Sequence, residues 1–172
     1  MAAMTLAACR ASIKAVVGAV SGVVADQVYE QRRIVRSESE IYDRFGNPIN
    51  GWQISLAPAG PIVSQRGPGF GGLGAPGGGR VMTTYKFQIE GYYGLDDAND
   101  SQQTFEELAE AVVAALNGYG LLPDASTPGR AIPGLTLQGP CNAELVGYQM
   151  FGQLFFTHYA RLTIELTGQT QP

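Results

Sequence analysis

The chain has 172 residues, of which 45% are apolar and only 15% charged, and its net charge is −4 at pH 7. That length suits one domain with a sizeable core, and the mild acidity lacks the basic stripe of a nucleic-acid binder. A surface so poor in charge points to burial against partners, while two distant cysteines, Cys9 and Cys141, make neither a disulfide framework nor a zinc site.

In chain order, the first expected element is a helix from a Thr5 cap to about Val17. Leu6, Cys9, Ile13, Val16 and Val20 lie along one of its faces. The same stretch holds "LAAC" at 6–9, a lipoprotein-cleavage pattern, and the apolar run 15–25. Its charges fall in the wrong order for export: none on the side chains of residues 1–5, then Arg10 and Lys14 where the apolar run should be. No window reaches the roughly 18 uncharged apolar residues of a spanning helix. The expectation is a cytosolic chain that does not enter a membrane.

"QVYEQRRIV" (27–35) reads as an edge strand that turns polar, and Gly46-Asn47-Pro48 as a turn. "GWQISLAP" follows, with Trp52, Ile54 and Leu56 on one face. In "VMTTYKFQIEGYYG", Tyr85, Phe87, Ile89 and Gly91 face one way and Lys86, Gln88 and Glu90 the other. A second helix is capped at Asp100 or Ser101, carries Glu106 and Glu107 early and closes at Asn117-Gly118. Its stripe is Phe105, Leu108, Val112 and Leu116, which should bury against the sheet face carrying Tyr85, Phe87 and Ile89. After a Pro-rich connection (119–134) come the strands "LTLQ", "AELVGYQM" and "FFTHYARLTIEL". The last puts Phe156, His158, Ala160, Leu162, Ile164 and Leu166 inward and Tyr159, Arg161, Thr163 and Glu165 outward. The order predicts a single α+β domain over 1–172, a largely antiparallel sheet with two main helices packed on it.

Between the second and third strands lies "GPGFGGLGAPGGGR" (67–80), which contains a literal G-x-G-x-x-G at Gly69, Gly71 and Gly74. A dinucleotide turn needs a strand before it and a helix beginning at its third glycine. Here Ala75-Pro76-Gly77-Gly78-Gly79 cannot start a stable helix, and no cofactor is expected. Residues 60–80 hold nine glycines in 21 positions. They read instead as a flexible hairpin arm, with Phe70 and Leu73 as apolar anchors flanked by Arg66 and Arg80 for a partner surface.

No catalytic constellation emerges. The lone His158 has the placement of a hydrogen-bonded core histidine, and Asp96, Asp97 and Asp100 precede a helix, where carboxylates cap amides. Neither metal-ligand spacing nor a nucleophile elbow is present. The expectation is a protein that is not an enzyme and has no catalytic, cofactor or metal residues.

The opening helix "RASIKAVVGAV", the strand "GWQISLAP", the run "TTYKFQIEGYYGLDDANDSQQTFEELAEAVVAAL" and the closing "HYARLTIEL" together resemble the tail terminator (tail completion) proteins of tailed bacteriophages. The likeness covers most of the chain outside 60–80 and 119–134. It implies a hexameric ring in the virion neck, assembled in the host cytoplasm. The ring would cap the tail-tube protein, stop its polymerisation and meet a head-side connector or stopper protein, and the genome DNA would cross its lumen without specific binding. The glycine arm departs from a compact terminator. The subunit contacts are expected at sheet edges and on the outer faces of the strands at 81–93 and 154–166, where the row Tyr159, Arg161, Thr163 and Glu165 lies. A different neck component (a head–tail connector or tail-tube subunit) and an exported binding module are the alternatives.

Overall fold

The structure, a computed structural model, describes residues 5–32, 37–57, 63–66, 81–95, 100–118, 136–137, 140–151 and 155–170. Helix α1 spans Leu6–Gly18, and the Thr5 hydroxyl caps it by accepting the Ala8 N–H at 3.1 Å. It buries Cys9, Ile13, Val16 and Val17. A single 3₁₀ turn, Ala25–Gln27, leads into β1, Val28–Tyr29. Of the expected strand over 27–35, the described part (27–32) is strand only at Val28–Tyr29, because the polar Glu30-Gln31-Arg32 has no apolar alternation to bury, and 33–35 lie outside the described residues.

Helix α2, Glu38–Phe45, is capped by the Ser37 hydroxyl, which accepts the Glu40 N–H at 3.3 Å. Among its described side chains Ile41 and Phe45 are the buried ones, too short a stripe for a periodicity reading. It stops at Gly46, whose φ of 81° is left-handed, and the turn contains a cis Asn47–Pro48 bond.

The strands are β2 (Asn50–Leu56), β3 (Val63–Arg66), β4 (Val81–Gly94), β5 (Thr136–Leu137), β6 (Asn142–Phe151) and β7 (Phe155–Thr170), with α3 (Ser101–Gly118) between β4 and β5. The described strands make one seven-stranded sheet. Its spine runs β1-β2-β4-β7; β6 and β5 pair successive parts of the outer side of β7, and β3 pairs β4 beyond β2. Only β1 and β2 run parallel. This is the α+β domain expected, with helices on a largely antiparallel sheet. β3 also corrects the boundary of the glycine arm: 63–66 belong to the sheet and pair with 81–84, so the connecting residues are 67–80.

Helices α1 and α3 lie on one face of the sheet, α1 over β1 and β2, α3 over β4, β7 and β6. The core joins Trp52 and Ile54, Phe87 and Ile89, and Ala160, Leu162, Ile164 and Leu166 to the α3 stripe Phe105, Leu108, Val112 and Leu116. The helix-to-sheet docking expected from the periodicity is therefore found. Gly91 lies directly opposite Trp52 in register, and a Cβ there would sit 2.6 Å from the indole ring. Leu108 is buried in this layer, so Leu108→Ala is expected to cost roughly 2–5 kcal/mol in urea unfolding.

Candidate functional site

The second face of the sheet is polar and ordered. Strand alternation sends Gln53, Lys86, Gln88, Glu90, Tyr92, Tyr159, Arg161, Thr163 and Glu165 to it. Register then aligns them in rows: Gln53–Glu90–Arg161–Glu144 across β2, β4, β7 and β6, with Ser55–Gln88–Thr163–Asn142 beside it. Tyr92 pairs with Tyr159, and Lys86 with Glu165. None of these rows could be read without the long-range pairing.

One half of this face is closed. Ile41 and Phe45 of α2, with Ile49, pack on Tyr92 and Tyr159 in a second small core. Phe45 fits there because Gly51 has no side chain: a Cβ at Gly51 would overlap the phenyl ring. Beside this cluster the Glu90 carboxylate is buried, at 2% exposure, and holds several donors. Tyr159 Oη donates to Oε1 at 2.7 Å, as does Gln88 Nε2 at 2.9 Å, and Gln53 Nε2 donates to Oε2 at 2.9 Å. Gln53 Nε2 also donates to Tyr92 Oη at 2.8 Å, and the half-exposed Arg32 Nε lies 3.5 Å from Glu90 Oε2. A buried charge persists in a fold only when it is paired and hydrogen-bonded in this way.

Tyr159 therefore corrects the expected outward row. Alternation places it on the right face, but that part of the face is roofed by α2, and Tyr159 is only 2% exposed. Burial and its hydrogen bond to Glu90 push its phenol up to about 12, so it serves as a neutral donor.

The other half of the face is open. Arg161 Nη1 lies 3.7 Å from Glu144 Oε2, and Lys86 Nζ lies 3.3 Å from Glu165 Oε1. All four side chains are at least 40% exposed, and the Arg161 guanidinium sits 5.7 Å from the Tyr159 ring centroid. Thr163 is half-buried between these pairs. Exposed pairs of this kind contribute little stability. Of the residues assigned to an interface, Arg161, Thr163 and Glu165 share this open strip and Tyr159 anchors its closed end.

Among the residues assigned to the arm, Arg66 ends β3 with its backbone in register with Val81. Phe70, Leu73 and Arg80 lie outside the described residues. On the helix-covered face, His158 Nε2 and Ser101 Oγ hydrogen-bond at 2.8 Å, both groups are buried, and the imidazole stacks on Phe105. The histidine ties the start of α3 to β7, as a core histidine does. No helix among the described residues is long and apolar enough to cross a membrane.

Cys9 and Cys141 are free and buried. Burial raises their thiols from the ordinary 9.0 to about 12 and about 11 respectively. An unfolded chain ionises these thiols near pH 9, and the phenol of Tyr159 near 10, whereas the native chain keeps its protons. The native state then binds more protons than the unfolded one, so stability falls as pH rises from about 9 through 12. The melting temperature is expected to drop over that window, and both thiols should resist Ellman's reagent in the native protein at pH 8. Native thiols that titrate near 9 would contradict their placement.

Compared with known proteins, the chain matches no family model, and no curated protein matches it.

Proposed function

We propose that this chain is a structural subunit of a ring that caps the tail tube of a tailed bacteriophage, ends tube polymerisation and joins the tail to the head-side connector. The observation that carries the reading is a sheet with its two longer helices on one face and an open, registered strip of charged residues on the other. Arg161, Glu144, Lys86 and Glu165 form that strip. Such a surface suits recognition by another folded surface. The resemblance of the helices and strands to tail terminator proteins supplies the class of assembly, and the charge-poor composition supports extensive burial between subunits. A net charge of −4 fits a lumen through which DNA moves without being held, because phosphate binding requires cations.

The partners are then further copies of this chain, the tail-tube protein and a head-side connector or stopper, and the role is structural rather than catalytic. Residues 67–80 would contribute contacts to a neighbouring subunit or neck protein through Phe70 and Leu73, flanked by Arg66 and Arg80. Replacing Phe70 and Leu73 by serine while keeping every glycine is expected to lower head-to-tail joining in a reconstitution assay. Unchanged joining would remove the anchoring role. The placement itself is tested by antibody labelling of intact virions. A single label between head and tail is the expected result, and label along the whole tail would instead indicate a tail-tube subunit.

A further inference from the structure

Resting on the ring reading, we propose that neighbouring copies of this chain join head to tail, the α3–β6 edge of one seating on the α1–β1 edge of the next. The helices at the two edges are opposite in charge, although Asp26 and Glu30 also lie on the α1–β1 side. Helix α1 carries Arg10 and Lys14 and no acidic residue; α3 carries Glu106, Glu107 and Glu110 and no basic one. Because α1 covers β1 and β2 while α3 reaches across to β6, the helical layer is positive toward one edge of the sheet and negative toward the other. None of these five side chains makes an ion pair among the described residues. Arg10 Nε is shielded and has no hydrogen-bond partner among them.

Shape follows charge. On the acidic edge, a groove of about 360 Å³ runs between α3 and β6, lined by Ala109, Glu110, Val113, Ala114, Asn117 and Ala143. Its walls are mostly small and apolar, and Glu110 stands on its rim. Glu106, one turn before Glu110, accepts from Gln102 and belongs to the same side of α3, whereas Glu107 faces the end of α1. The outer side of β6, a ten-residue strand, has no pairing strand among the described residues. Such an edge invites a partner. On the basic edge, Lys14 lines a shallow cavity with Tyr29, Glu30 and Gln31, which places it beside β1. Val24, just before the turn into β1, is 43% exposed and offers an apolar side chain on this edge.

A second copy of the chain is the occupant that satisfies both edges together. Two different patches at opposite ends of one molecule make a heterologous contact, and heterologous contacts with the right rotation close into rings. The apolar groove would supply affinity, and the unlike charges would set orientation and reject edge-to-edge pairing of like kind.

The test uses the full chain with three charge variants: Glu106→Lys with Glu110→Lys, Arg10→Glu with Lys14→Glu, and all four together. Oligomer mass is measured by native mass spectrometry and light scattering, alone and with tail-tube protein, and circular dichroism confirms folding. Each paired reversal is expected to raise the concentration needed for rings by roughly tenfold or more, and the fourfold variant to recover most of that loss. Wild-type rings should also loosen in about 1 M salt, where charge pairs are screened. If both paired variants assemble like wild type, or wild-type rings ignore salt, the edge assignment is overturned while the ring reading stands. A wild-type chain that stays monomeric even on the tube overturns both.

Discussion

Phe105→Ala is expected to cost roughly 3–5 kcal/mol, among the largest losses available in this chain. Phe105 is 3% exposed and stands where α3 meets the sheet. Its ring lies 6.2 Å from Trp52, 5.9 Å from Tyr93 and 6.0 Å from His158, centroid to centroid. Truncation would therefore leave a cavity bounded by three aromatic rings, none of which can collapse into it without shifting a strand. The His158–Ser101 hydrogen bond would also lose the stacking that holds the imidazole. Urea unfolding with an unchanged m-value measures the effect. A loss below about 1 kcal/mol would mean that α3 does not dock on β2, β4 and β7 through this residue.

Glu90→Ala is expected to cost a similar amount, about 3–5 kcal/mol, for a different reason. The deletion removes the acceptor of the Gln88 amide and of the Tyr159 hydroxyl and one of the two acceptors of Gln53 Nε2, all buried and aimed at the missing carboxylate. Tyr159→Phe removes one donor and leaves the others satisfied, so its cost should stay near 1–2 kcal/mol. The two changes act on one network and the double variant should lose less than their sum. Strict additivity would show that the Tyr159–Glu90 contact does not exist in solution.

The parts of this fold that rest on local periodicity were legible in the sequence. The period-2 alternation of β4 and β7 and the stripe Phe105, Leu108, Val112 and Leu116 gave the helix-covered face correctly, and Thr5 marked the start of α1. The second face was not legible to the same depth. Alternation says that Tyr159 and Glu90 turn away from α1 and α3, but it cannot say what covers them. The cover comes from Ile41 and Phe45 of the short α2 and from Ile49 beyond the Gly46 turn, too few and too interrupted for a periodicity to show. The row Gln53–Glu90–Arg161–Glu144 depends on four strands separated by long stretches of chain. A single sequence carries no register of that kind. The polar face reads from sequence as a plain solvent side, whereas half of it is a sealed hydrogen-bond network.

The ring itself is the central claim, and one measurement meets it directly: electron microscopy of the purified full chain mixed with polymerising tail-tube protein. The predicted result is closed rings of uniform size seated at tube ends, with tubes growing shorter as more of the chain is added. Continuous cylinders built from this chain, or tubes of unchanged length with no density at their ends, would contradict it.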